Sequence, residues 1–100
     1  MKNLISIVTP TYNEEGNIKK LISEIKVQML EYKNIYDYEH IIIDNSSTDN
    51  TIKIIKEIAK LDKKVKIIIN SKNFGHIRSP FHGILQAKGG AVIFMSSDFQ

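Results

Sequence analysis

"IIIDNSSTDNT", residues Ile41 to Thr51, decides how the chain is read. Three isoleucines in a row stop at Asp44, and polar residues continue from Asn45 to Thr51. A short β-branched run with no polar alternation predicts a strand covered on both faces. Its abrupt polar end marks the point where the chain leaves the sheet. With "YEH" before it, the strand runs from Tyr38 to Asp44.

The same unit repeats outward from this stretch. Upstream, "LISIV" (Leu4 to Val8) is an apolar run closed by Thr9-Pro10, and so a first strand. Ile18, Leu21, Ile22, Ile25 and Met29 then recur at helical spacing and predict one buried face of a helix. Downstream, Ile52, Ile55 and Ala59, flanked by Ile54, Ile58 and Leu61, predict a second helix, with Asp49 or Ser47 placed to cap it. "VKIIIN" (Val65 to Asn70) is the third strand. Ile77, Phe81, Ile84 and Leu85 mark a third helix, with Pro80 early in it and Gly89-Gly90 closing it. "AVIFMSS" (Ala91 to Ser97) is the fourth strand. The β-α-β-α-β-α-β order predicts an α/β fold: a Rossmann-like, mostly parallel sheet with helices on both faces, in one domain over residues 1–100. Four strands make a small sheet, so the chain reads as the truncated front part of a longer domain.

Composition narrows the function. The chain has 100 residues, 42% of them hydrophobic and 25% charged, as in a soluble globular domain. It has no cysteine, which excludes disulfides and thiolate metal sites and fits a reducing compartment. No apolar run is long enough to span a bilayer, and no charged-then-apolar leader is seen. The net charge of +3 comes from scattered lysines, with Arg78 the single arginine. A nucleic-acid groove would need clustered basic residues interleaved with aromatics, so no nucleic-acid partner is expected. Weak attraction to an acidic membrane surface, and self-association through an uncovered apolar edge, are both compatible with this make-up.

Open α/β sheets bind ligands beyond the carboxyl ends of their strands. Four segments lie there: "TPTYNEEGN", "DNSSTDN", "NSKNFGHIR" and "SSDFQ". In the first, Tyr12 suits stacking on a base and Glu14 suits a sugar hydroxyl. In the second, Asp44 suits a base N–H or a ribose hydroxyl, and a turn or helix cap is the alternative for both Asp44 and Asp49. In the third, His76 and Arg78 precede or open a helix and suit a phosphate. In the fourth, Asp98 and Gln100 fall on one side of an extended segment, which suits a hard divalent cation. His40 lies within a strand and reads as structural. His82 lies on the third helix and reads as surface or packing. No G-x-G-x-x-G, P-loop or nucleotidyltransferase glycine loop follows the first strand.

Together, "SIVTPTYNEEGNI", "IIIDNSSTDNT", "NFGHIRSPFHGILQAKGG" and "VIFMSSDFQ" resemble the amino-terminal half of a family-2 glycosyltransferase of the GT-A fold. The nearest flavour is that of bacterial relatives of dolichol-phosphate mannosyltransferase. The resemblance implies that Pro10, Tyr12, Asn13 and Glu14 form the first nucleotide-contacting loop. It implies that Asp44 recognises the base and that Asn73 belongs to the turn before the third helix. Asn45 stands where many members have a second acid. Asp98 matches the second acid of the D-x-D metal motif, and Gln100 a further ligand for Mg²⁺ or Mn²⁺. Ser96 takes the first acid's place, which either weakens the metal site or hands more of the coordination to Asp98, Gln100 and the diphosphate.

The activity so implied is inverting transfer of a sugar from a nucleotide-sugar donor to a saccharide or polyprenyl-phosphate acceptor in cell-envelope polysaccharide synthesis. It would take place in the cytoplasm or at the cytoplasmic face of the membrane. The catalytic base is expected beyond Gln100, so no catalytic residue is assigned here and the fragment alone is expected to be inactive. The alternative is a non-catalytic nucleotide-binding or interaction module of the same fold.

Overall fold

The structure is a computed structural model, and it describes residues 3–70 and 91–94. The elements are β1 (Asn3–Thr11), α1 (Ile18–Leu30), β2 (Tyr36–Asp44), α2 (Thr51–Leu61), β3 (Val65–Ile69) and β4 (Ala91–Phe94). They form a four-stranded sheet of order β3-β2-β1-β4 in which every pair is parallel. The register runs from Asn3↔Tyr36 to Thr11↔Asp44, from Ile5↔Ala91 to Val8↔Phe94, and from His40↔Val65 to Asp44↔Ile69. All four strands therefore point one way and their carboxyl ends share one edge. The chain builds outward from β1 to β2 and β3, then crosses back to place β4 on β1's other side. That reversal puts the switch point between β1 and β4.

The core follows from the strand alternation. Ile7, Tyr38, Ile42 and Val65 face one side and pack with Ile18, Leu21, Ile22 and Ile25 of α1 and Ile55 of α2. The α1 stripe matches the helical spacing read from the sequence. Both α1 and α2 lie on this side. Val8, Ile41 and Ile43 form a separate buried cluster with Ile68 packed against it. The third helix expected from Ile77 to Leu85 lies outside the described residues.

Several polar side chains inside the interior strands are paired, while Thr11 Oγ1 and His40 Nδ1 have no partner among the described residues. The buried Glu39 carboxylate accepts from the Ser6 hydroxyl and, at 2.6 Å, from Lys66 Nζ. His40 Nε2 lies 2.9 Å from Thr9 Oγ1.

One expectation shifts. β1 and β2 are longer than their apolar runs, because parallel pairing carries both from Asn3↔Tyr36 through Thr11↔Asp44. Leu61 lies in α2 as expected, 91% exposed at its last residue, where Asp62 has already turned to extended backbone. Among the described residues, no helix is long and apolar enough to cross a membrane.

Candidate functional site

The β1–α1 loop and the β2–α2 loop meet above the carboxyl edge and are stitched together. The Asn13 N–H donates to Ser47 Oγ at 2.9 Å. Asn13 Oδ1 accepts from the Thr48 N–H at 2.7 Å and the Asp49 N–H at 3.3 Å, while Asn13 Nδ2 donates to Thr48 Oγ1 at 3.1 Å. The Glu14 N–H donates to Thr51 Oγ1 at 2.8 Å. The Glu15 N–H donates to Asp49 Oδ2, and the Asn50 N–H to Glu15 Oε2, both at 3.3 Å. Below them, the Asn45 N–H donates to the Thr11 carbonyl at 2.9 Å, extending the ladder by one rung.

The end of β3 joins the same network. The Asn70 N–H donates to the Asp44 carbonyl at 2.8 Å, and Asn70 Nδ2 to Asn45 Oδ1 at 2.9 Å. The Ser46 hydroxyl donates to the Asn70 carbonyl. Asn13 (φ 50°) and Ser46 (φ 62°) both adopt the left-handed region, which is sterically costly for residues with a Cβ. The rim of hydrogen bonds holds them there.

Asp44 is fully buried. Its Oδ2 accepts from the Ser47 N–H at 2.7 Å and its Oδ1 from the Ser47 hydroxyl at 2.5 Å. The expectation of a carboxylate open to the crevice is modified: Ser47 folds back over Asp44 and engages both oxygens. Asp49 meets the first residue of α2, whose N-cap position is Asn50. Asp49 Oδ1 accepts from the Thr51 N–H at 2.9 Å and from the Thr51 hydroxyl at the start of α2. Desolvation pushes the Asp49 carboxyl up, but hydrogen bonds from Thr51 and Glu15 outweigh it and hold its pKa below the ordinary value.

Tyr12 is 43% exposed at the same rim. Pro10 pairs with Ile43 in the ladder, and the Glu14 carbonyl accepts from the N–H groups of Asn17 and Ile18 where α1 begins. Thus Pro10, Tyr12, Asn13, Glu14 and Asp44 converge on one edge. Asn73, Arg78, Asp98 and Gln100 lie outside the described residues. Among those described, no three His, Cys, Asp or Glu side chains are grouped to hold a metal ion.

The residues whose importance was not read from the sequence are Thr48, Thr51 and Asn70. Their signal was the density of short polar side chains after each strand, a pattern that names no partners. A groove of about 570 Å³ lies at the opposite edge between Leu4, Ile5, Met29, Tyr32, Tyr36 and Ile93. Its mostly apolar lining lacks the converging polar groups found at the carboxyl edge, which is the candidate site.

A parallel sheet with its switch point beside β1, and polar loops gathered over that edge, defines the class of open α/β nucleotide-binding folds. The particular family follows from comparison. The model of the family "Glycosyl transferase family 2" matches residues 6–100, and the chain belongs to that family. CsbB, a Bacillus subtilis (strain 168) protein named as a glycosyltransferase, is 41% identical over 100 residues, covering 99% of this chain and 30% of CsbB. The undecaprenyl-phosphate 4-deoxy-4-formamido-L-arabinose transferase of Proteus mirabilis (strain HI4320) is 33% identical over 99 residues, 98% of this chain and 30% of that one.

Among solved structures, S. aureus TarS 1-349 in complex with UDP-GlcNAc superposes with a TM-score of 0.80 at 28% identity, over 98% of this chain and 27% of TarS. The Pyrobaculum calidifontis mannosyltransferase PcManGT, in complex with GDP-Man and Mn²⁺, gives 0.79 at 20% identity over 98% of this chain and 28% of that one, a likeness of fold. The fold is of the GT-A type, and the chain spans about 30% of the length of the curated relatives it matches.

Proposed function

We propose that the carboxyl edge of this sheet binds the nucleotide of a nucleotide-sugar donor, as the donor half of an inverting glycosyltransferase. The observation that carries this reading is the convergence of Tyr12, the Asn13–Glu14 backbone and the Asp44 turn on the carboxyl edge, beside the switch point. Tyr12 offers an exposed ring for a base to stack on. Asp44, with Asn45 beside it, would act at the base and ribose end through the Ser47 turn that covers it. Asn73 and Arg78 would complete the nucleotide contacts, with Arg78 facing phosphate.

Asp98 and Gln100 would hold a divalent cation: one carboxylate and one amide oxygen suit Mg²⁺ or Mn²⁺, with diphosphate oxygens filling further positions. Such an ion would offset charge on the departing diphosphate. One structural neighbour and one sequence relative carry this reading toward substrate. TarS is solved with UDP-GlcNAc, and the Proteus mirabilis relative is named for an undecaprenyl-phosphate acceptor. By that analogy the acceptor is a saccharide or a polyprenyl phosphate, used at the cytoplasmic face of a membrane.

Thermal-shift screening against UDP-, GDP- and dTDP-sugars, with and without Mn²⁺, tests the proposal. One nucleotide class should raise the melting temperature, and Asp44→Ala and Asp98→Ala should each abolish the rise. No shift with any of the three would contradict it and favour a non-catalytic interaction module.

A further inference from the structure

Asn13 fastens the β1–α1 loop to the β2–α2 loop. At φ 50° it sits in the left-handed region, which asparagine enters more readily than most residues. Its main chain and side chain both reach the second loop, contacting Ser47, Thr48 and Asp49. An amide side chain carries two acceptor lone pairs and two donor hydrogens. Both lone pairs and one hydrogen of Asn13 are engaged inside the protein. Ser47, which accepts from the Asn13 N–H, donates in turn to Asp44 Oδ1. A continuous path therefore links the residue next to Tyr12 with the buried carboxylate.

We infer that Asn13 is a positioning residue: its side chain latches the two loops together and so fixes the Tyr12 ring relative to Asp44, rather than contacting the nucleotide. The latch stands on the geometry of the free chain. Its consequence for ligand binding rests on the proposed nucleotide site. The Asn13 oxygen is spent on Thr48 and Asp49 and one amide hydrogen on Thr48, so the side chain faces the second loop.

Amide hydrogen exchange separates the two roles without any ligand. Asn13→Gly keeps the left-handed backbone accessible and deletes only the side chain. The amides of Thr48 and Asp49 should then exchange about tenfold faster, as expected for lost hydrogen bonds of ordinary net strength. The Ile42 amide, deep in β2, should not change. Asn13→Asp retains the acceptor oxygen and should exchange close to wild type. Unchanged exchange at Thr48 in the glycine variant would overturn the latch.

A binding arm adds the consequence. UDP, GDP and dTDP are titrated with Mg²⁺ into wild type, Asn13→Gly, Ser47→Ala and the double variant. Because both residues fasten the same pair of loops, the double variant should bind about as weakly as the worse single variant. Losses that multiply would mark independent ligand contacts and overturn the positioning role. Failure of the wild type to bind any of the three nucleotides would contradict the functional reading, and the exchange measurement would still decide the latch.

Discussion

Asp44 has no exposure to solvent, yet it ends the longest ladder of the sheet. Its two hydrogen bonds from Ser47 are what allow a carboxylate to sit there, because a buried charge without partners costs far more than it returns. Asp44→Ala should therefore destabilise the chain by about 1–3 kcal/mol, read from the urea midpoint, by leaving the Ser47 groups unsatisfied. A loss below about 0.5 kcal/mol would mean that the turn stands without its acceptor.

His40 makes a second residue-scale prediction. Burial holds its pKa at about 4 against an ordinary 6.5, with the negative charge of Asp62 opposing in part. Above pH 6.5 the imidazole is neutral in both the folded and unfolded chain. As pH falls from 6.5 toward 4, the unfolded chain takes up the proton first, so stability declines across that window by about 3 kcal/mol. Below pH 4 this contribution levels off, and the lowered pKa of Asp49 adds a further loss as that carboxylate is protonated. Urea midpoints measured across pH 4 to 7 check the slope, and His40→Gln should flatten it. The sequence places His40 in a strand as a structural residue. That its neutral form is enforced follows only from the packing of the strands and helices around it.

At the scale of the elements, apolar spacing carried most of the information. The α1 stripe emerges buried at Ile18, Leu21, Ile22 and Ile25, and the "III" of β2 is buried throughout. Continuous apolar strands suit the interior of a parallel sheet covered on both faces. Ile42 is fully buried between the helices and the sheet, and Ile42→Ala should cost about 2–5 kcal/mol in an unfolding titration, with the lower end met if the site collapses. Spacing read Asp44 as a crevice carboxylate and Asp49 as a cap candidate without naming the groups each would meet. Both follow a strand and precede a helix, and only the backbone path shows that Ser47 turns back onto Asp44 while Asp49 meets Thr51.

Across the whole molecule, the order β3-β2-β1-β4 decides where function can be. The β1–α1 loop, the β2–α2 loop and Asn70, separated by tens of residues, become neighbours because the strands before them point the same way. The sequence revealed the loops and the direction of the strands. The network joining Asn13, Ser47, Thr48, Thr51 and Asn70 was not legible there, since Ser, Thr and Asn are equally at home in any turn. The transfer reaction is a property expected of the longer relatives, so the chain by itself should show no sugar transfer from UDP-, GDP- or dTDP-sugars in a radiolabel assay.

The central claim is that the carboxyl edge, and not the apolar groove at the other end, receives the nucleotide. The most direct measurement is a backbone amide map of the chain titrated with UDP, GDP and dTDP in the presence of Mg²⁺. Shifts gathered on Tyr12 to Glu15 and Ser46 to Thr51 are the expected result. Shifts confined to Leu4, Ile5, Tyr32 and Tyr36, or none at all with any of the three, would contradict it.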